Sequence, residues 1–217
     1  GMHTLKVTAK TGKTVRTKIY GIEISNDGTI HAIESKMTDV KVTSWAFKPI
    51  SYVVENNLFN GMTENTFEPA TNLTRGMLVT VIGRLEGVDE NRNADTAFSD
   101  VRKNKYYTGY IKWASDNGII NGISPDKFAP DTFITREQTA TILFRYARFK
   151  GYDTSGRNTL TQYSDSGKIG KFAREAMEWA NYSQIINGMT PTALDPKGLA
   201  TRAQIAKIIM TFDMLYN

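Results

Sequence analysis

Three copies of one phrase set the register of this chain. Thr74, Thr135 and Thr201 are each followed by an arginine, Arg75, Arg136 and Arg202, and each falls fourteen residues after Asn60, Asn121 and Asn187. Those asparagines are each followed by a glycine: Gly61, Gly122 and Gly188. Between the two phrases a large apolar residue and a proline keep their offsets, as Phe67/Pro69, Phe128/Pro130 and Leu194/Pro196. A repeat of this length is one supersecondary unit that cannot bury its apolar face alone, so the copies must pack on one another. The chain is therefore a three-unit array, and it sets the same cation three times in the same local surroundings.

Each unit opens with an apolar residue two before an aspartate: Met37/Asp39, Phe98/Asp100 and Tyr163/Asp165. An aspartate ahead of a helix suits a cap or an Asx-turn. A first helix follows, with aromatics seven apart expected on one face, mainly in the core: Trp45/Tyr52, Tyr106/Trp113 and Phe172/Trp179. Asn57, Gly118 and Gln184 stand where it should stop, and only Gly118 is the ideal left-handed stop residue. A second helix starts at each threonine. Thr135 with Gln138 and Thr201 with Gln204 fit the capping box, whereas Met77 denies Thr74 its reciprocal partner. Leu78, Val81, Ile82 and Leu85, with their counterparts from Ile142 and Ile205 onward, give each second helix a single apolar face. Three such helices meeting at one axis would bury all three faces. Residues 87–97 and 151–162, rich in Gly, Asp, Asn, Thr and Ser, are expected to be exposed, mobile connections.

Ahead of the repeats, residues 3–36 alternate apolar and polar positions (Leu5, Val7; Val15, Ile19; Ile22, Ile24; Ile30, Ala32), with turn signals at Thr11-Gly12 and Asn26-Asp27-Gly28. The expected organisation is a short β segment over 1–36, the tail of a preceding domain or a cap on the array, then repeats at 37–88, 98–150 and 163–217. The fold class is mainly α: a pseudo-threefold helical bundle with a small N-terminal β segment.

Composition narrows the functional classes. The 27 Lys+Arg against 22 Asp+Glu give a net charge of +5, which favours polyanionic partners without choosing among them. No basic run with interleaved aromatics marks a nucleic-acid reader. No apolar run approaches the roughly 20 residues of a membrane span, and no charged-then-apolar leader opens the chain; Gly1-Met2 reads as a cleaved-tag scar before an excised piece. Zero cysteines exclude disulfides and cysteine zinc sites. The two histidines, His3 and His31, lack an acidic cluster in sequence, so neither a metal nor a cofactor is expected. The repeated aspartates are spread one per unit, unlike the paired carboxylates of a glycan hydrolase, and no nucleophile or phosphate-loop motif appears, so the segment reads as non-catalytic.

Taken together, the apolar-x-Asp opening, the aromatic first helix, Asn-Gly, Phe-x-Pro and Thr-Arg resemble the S-layer homology domain in three tandem copies covering 37–217, about five-sixths of the chain. The resemblance implies a three-pronged bundle in the extracellular wall or S-layer that anchors bacterial surface proteins. Its implied partner is a secondary cell-wall polysaccharide linked to peptidoglycan, often pyruvylated on N-acetylmannosamine, bound in grooves between prongs. The family's Thr-Arg-Ala-Glu motif carries a ligand-contacting arginine onto Arg75, Arg136 and Arg202. Here the motif reads Thr-Arg-Gly-Met, Thr-Arg-Glu-Gln and Thr-Arg-Ala-Gln, so the Arg75 groove is expected to differ in affinity.

The chemistry agrees with that carry-over. Guanidinium matches a ketal carboxylate in a bidentate way, a helix N-terminus adds free amides and positive dipole, and Gly61, Gly122 and Gly188 let a ligand approach backbone. On the residues alone, each arginine reads first as a surface ion-pair partner of Asp39, Asp100 or Asp165; the resemblance turns that reading to binding. The candidate ligand-binding set is thus the three arginines, three glycines and three aspartates with Trp45, Trp113 and Trp179. Tyr106 and Phe172 are further candidates for a groove edge, although most aromatic area is expected in the core. The alternatives are a self-associating lattice unit and the anchor part of a larger surface enzyme; the segment by itself is expected to be monomeric.

Overall fold

The structure, a computed structural model, describes residues 36–89 and 95–216, plus the backbone of three short strands. These strands, β1 (Lys18–Ile19), β2 (Ile22–Ile24) and β3 (Ile30–Ala32), form an antiparallel sheet in chain order, with Ile19 opposite Ile22 and Ile24 opposite Ile30. The expected strands around Leu5, Val7 and Val15, and both turns, lie outside the described residues, as does His3.

Each repeat contributes two helices: α1 (Phe47–Glu55) and α2 (Arg75–Leu85), α3 (Thr108–Asp116) and α4 (Arg136–Phe149), α5 (Arg174–Tyr182) and α6 (Arg202–Tyr216). The first helices stop where expected. Asn57, Gly118 and Gln184 adopt φ of 56°, 68° and 58°, the left-handed geometry that turns the chain out of a helix. The second helices start where expected too. Thr135 and Thr201 each accept from the amide of Gln138 or Gln204 and give their own amide to that glutamine's Oε1. Thr74 caps Met77 without the return bond.

The packing partner of each helix was not visible in the periodicity. The helix pairs packed most extensively are α2 with α3, α4 with α5, and α6 with α1. Each second helix thus packs on the first helix of the next repeat, and the third repeat returns to the first. A closed triangle of backbone bonds links the three second-helix entries. Ile134 donates to Leu73 (2.9 Å), Leu73 to Ala200 (2.9 Å) and Ala200 to Ile134 (3.0 Å). All three residues are fully buried. The second helices, expected to bury their apolar faces together at one axis, each pack chiefly on a first helix; their entries are joined by this triangle, and α4 touches α6 through ring contacts such as Tyr146 on Phe212, at 5.6 Å.

Two expectations need correction. Trp45 and Tyr106 precede α1 and α3, and Phe172 precedes α5, so the seven-residue spacing crosses a helix boundary and does not place both rings on one face. The connection at 151–162 is not simply an exposed loop. Leu160 is buried, Asn158 donates to Glu178, and Tyr152 stacks on Tyr216 at 4.3 Å. Residues 90–94 of the other connection lie outside the described residues.

Candidate functional site

The Asn-Gly to Phe-x-Pro segment of each repeat is a loop held open from within and plugged from outside. From within, the repeated aspartate binds two successive amides. Asp39 accepts from Phe67 and Glu68, Asp100 from Phe128 and Ala129, and Asp165 from Leu194 and Asp195, all at 2.7–2.9 Å. The second residue of each pair has positive φ (56°, 59° and 53°), strained for a side-chain-bearing residue and held there by the carboxylate. Bonds from these amides, that of Leu194 foremost, hold the Asp165 carboxyl below the usual carboxylate range. Gly61, Gly122 and Gly188 serve the loop itself, because a Cβ there would run into the carbonyls of Thr63, Ser124 and Thr190.

From outside, the loop receives the helix start of the preceding repeat. Arg75 Nε donates to Phe128 O (2.9 Å) and its Nη2 to Asn121 O (3.3 Å). Arg136 reaches Leu194 O (3.0 Å) and Asn187 O (2.6 Å), and Arg202 reaches Phe67 O (2.6 Å) and Asn60 O (2.8 Å). The Arg75 and Arg202 guanidiniums also lie 4.5 and 4.4 Å from the ring centroids of Phe128 and Phe67. All three arginines are buried. Burial lowers their pKa, opposed by nearby acids such as Asp100 for Arg75 and Asp195 for Arg136, but arginine stays charged.

This geometry revises the expected roles. The aspartates do not pair with the arginine forks; they are loop clamps. Nor are the helix-start amides open to a ligand. The first two of each helix donate to the neighbouring loop, as Arg75 to Thr132 O and Gly76 to Pro130 O, with the same pattern at Arg136/Glu137 and Arg202/Ala203. The third is taken by the capping threonine. The repeated phrase is therefore first an inter-repeat latch, closed three times around the ring.

Beside each of the Arg202 and Arg75 latches runs a cleft. One, of about 280 Å³, is lined by Arg202, the Asn60-Gly61-Met62 turn, Met77, Arg84 and Tyr106, so all three repeats contribute. The second, of about 390 Å³, has the corresponding set: Arg75, Asn121-Gly122-Ile123, Gln138, Arg145 and Phe172. By repeat register the corresponding third set is Arg136, Asn187-Gly188-Met189, Gln204 and Trp45, with Thr211 where the others have Arg84 and Arg145, and Lys207 where they have Thr80 and Thr141. There Gln204 Nε2 lies 3.4 Å from Met189 Sδ.

The aromatics that wall the two clefts, Tyr106 and Phe172, are first members of the seven-apart pairs, as Trp45 is. Trp45, Tyr106 and Phe172 are 62%, 54% and 58% exposed. Trp113 and Trp179, at 6% and 0%, are core residues and cannot face a ligand; they pack on Tyr146 and Phe149, and on Phe144 and Phe212. Sequence reasoning also missed Arg84 and Arg145, which recur nine residues after Arg75 and Arg136. Among the described residues, no group of three or more His, Asp or Glu could hold a metal, and no helix is long and apolar enough to cross a membrane.

Comparison with known proteins gives this architecture a family. The S-layer homology domain matches residues 36–76, 97–140 and 162–206. An endoglucanase of Bacillus sp. (strain KSM-635) is 34% identical over 80% of this chain, which spans 18% of that protein. The Surface-layer 125 kDa protein of Lysinibacillus sphaericus is 24% identical over 77% of this chain, across 14% of its own length. A cellulosome-anchoring protein of Acetivibrio thermocellus is 26% identical over 66%, across 32% of its length. This chain thus spans under a third of each of these relatives, and the match to the endoglucanase carries no catalytic assignment. Three copies of one latch, three family matches and these relatives lead to one conclusion: the chain belongs to the S-layer homology domain family, as three tandem domains of a cell-wall-associated, extracellular surface protein.

Proposed function

We propose that this segment is a non-catalytic anchor that binds an anionic secondary cell-wall polysaccharide, of the pyruvylated kind, in the clefts between repeats. The observation that carries the reading is the pairing in two clefts of an arginine with an exposed aromatic wall: Arg202 with Tyr106, and Arg75 with Phe172. A guanidinium has five N–H groups, and the latch bonds engage only two of its nitrogens, Nε and Nη2. A second cation lies in each cleft, Arg84 or Arg145. Such a cleft suits a carboxylate-bearing sugar, with the carboxylate toward the cations and an apolar sugar face on the ring. Related clefts acting together would raise the effective concentration of one polymer at the next, so weak single contacts suffice for firm anchoring.

The relatives' names agree with an anchor that serves many cargoes, among them an endoglucanase, a cellulosome-anchoring protein and S-layer proteins. The test is calorimetric titration with purified pyruvylated wall polysaccharide beside the same glycan stripped of its ketal. Binding lost with the ketal supports the reading. Equal binding of both forms, or of neither by folded protein, removes carboxylate recognition.

A further inference from the structure

At the second position of the second helix the three repeats differ: Gly76, Glu137 and Ala203. Glu137 is 3% exposed, unusual for a carboxylate, and both its oxygens are engaged. Oε2 accepts from the Gly170 amide at 2.9 Å, and Oε1 from the Lys197 ammonium at 2.5 Å. Both partners belong to the third repeat: Gly170 lies on the segment that carries the wall of the Arg75 cleft, and Lys197 on the loop that follows Pro196. That segment is longer here: six residues separate Asp39 from Trp45 and Asp100 from Tyr106, but seven separate Asp165 from Phe172. Two short 3-10 turns, Ser166–Lys168 and Lys171–Ala173, flank Gly170.

Phe172 rests directly on the backbone that Glu137 holds. A Cβ on Gly170 would lie 2.7 Å from Phe172 Cε1 and 3.5 Å from Glu137 Oε1. The Lys197 ammonium stands 6.0 Å from the centre of the same ring. The Arg202 cleft is built differently. Gly76 leaves room for Tyr107, whose Cδ1 would be 3.0 Å from a Cβ there, and Tyr106 packs edge-on against Tyr107 at 5.0 Å. In the third repeat the residue after the wall aromatic is Ala173, which offers no such ring.

We propose that Glu137 is a positioning residue for the Arg75 cleft: by holding Gly170 and Lys197 it fixes Phe172 as the cleft wall and gives this cleft a ligand preference distinct from that of the Arg202 cleft. The ligand half of this statement rests on the reading of the clefts as glycan sites; the positioning half does not. Incorporation of 4-fluorophenylalanine at position 172 supplies a single 19F resonance. Glu137→Ala should shift or broaden it, whereas Glu137→Gln, which keeps an acceptor for the Gly170 amide, should largely restore it. A resonance unmoved in folded Glu137→Ala overturns the proposal. Should that variant fail to fold, Lys197→Ala decides in its place, a moved resonance supporting the proposal and an unmoved one overturning it.

With pyruvylated polysaccharide, Glu137→Ala should weaken occupancy of the Arg75 cleft about three- to tenfold, the scale of one misplaced aromatic contact. This is read from amide shifts of Gly122 and Ile123, with those of Gly61 and Met62 as the internal reference for the other cleft. Equal weakening at both clefts overturns the assignment to one cleft. Wild-type protein that binds no glycan, yet shows the 19F response, would remove the glycan reading and the ligand preference while leaving Glu137 as the residue that positions Phe172.

Discussion

Arg202 joins the last repeat to the first, and its removal should open the ring at that seam. Arg202→Ala deletes two charge-assisted bonds, to Phe67 O at 2.6 Å and Asn60 O at 2.8 Å, and the guanidinium over the Phe67 ring. Hydrogen bonds to charged groups contribute about 1.5–3 kcal/mol each, so the pair alone amounts to about 3–6 kcal/mol. Water entering the vacated space would satisfy the more accessible Asn60 carbonyl, and the variant is spared the cost of burying a charge. The expected net loss is therefore about 3–4 kcal/mol, a large share of the ~5–15 kcal/mol of a typical domain. Urea unfolding followed by circular dichroism at 222 nm measures it. In a chain of this size that loss lowers Tm by about 6–16 °C. Arg202→Lys, a point charge without the fork, should lose roughly half as much. A loss below about 1 kcal/mol for Arg202→Ala would refute the latch.

The loop clamps and turns give further expectations. The Asp165 carboxyl titrates lower in the folded chain than in the unfolded one, so its stabilisation is present above the unfolded value and is lost as pH falls through the folded one. Asp165→Asn should therefore flatten the acid limb of Tm against pH below about 4; an unchanged slope would contradict the clamp. Gly122→Ala, which drives a Cβ into the Ser124 carbonyl, should cost roughly 2–3 kcal/mol in urea unfolding. Trp179→Ala should cost about 3–5 kcal/mol, as expected for a fully buried ring, while exposed Trp45→Ala should change stability by less than about 0.5 kcal/mol.

The local grammar of the fold was legible because it depends on neighbours in sequence. Thr135 and Gln138 are three apart, and the left-handed stops at Asn57, Gly118 and Gln184 follow directly on their helices. What was hidden depends on partners far along the chain. Asp39 looked like a cap for the helix after it, yet the amides it binds are 28 and 29 residues away. An apolar stripe says that α2 needs a partner, not that α3 of the next repeat supplies it. The arginines show the same limit: a helix-start Arg in sequence cannot reveal that carbonyls of another repeat occupy its fork. Trp113 and Trp179 drew attention by matching in register, but the helix boundaries decide which aromatic faces outward, and those fall after Trp45, Tyr106 and Phe172. Glu137 carried no signal beyond being unlike Gly76 and Ala203.

Wall polymer is proposed to bind in the clefts beside the latched arginines, walled by exposed Tyr106 and Phe172, with exposed Trp45 at the corresponding position of the third repeat junction. The most direct test is co-sedimentation of the Trp45→Ala/Tyr106→Ala/Phe172→Ala triple variant with purified wall sacculi carrying the pyruvylated polysaccharide. The variant should unfold within a few degrees of wild type yet no longer sediment with the wall. A folded variant that binds sacculi as tightly as wild type would contradict binding in these clefts.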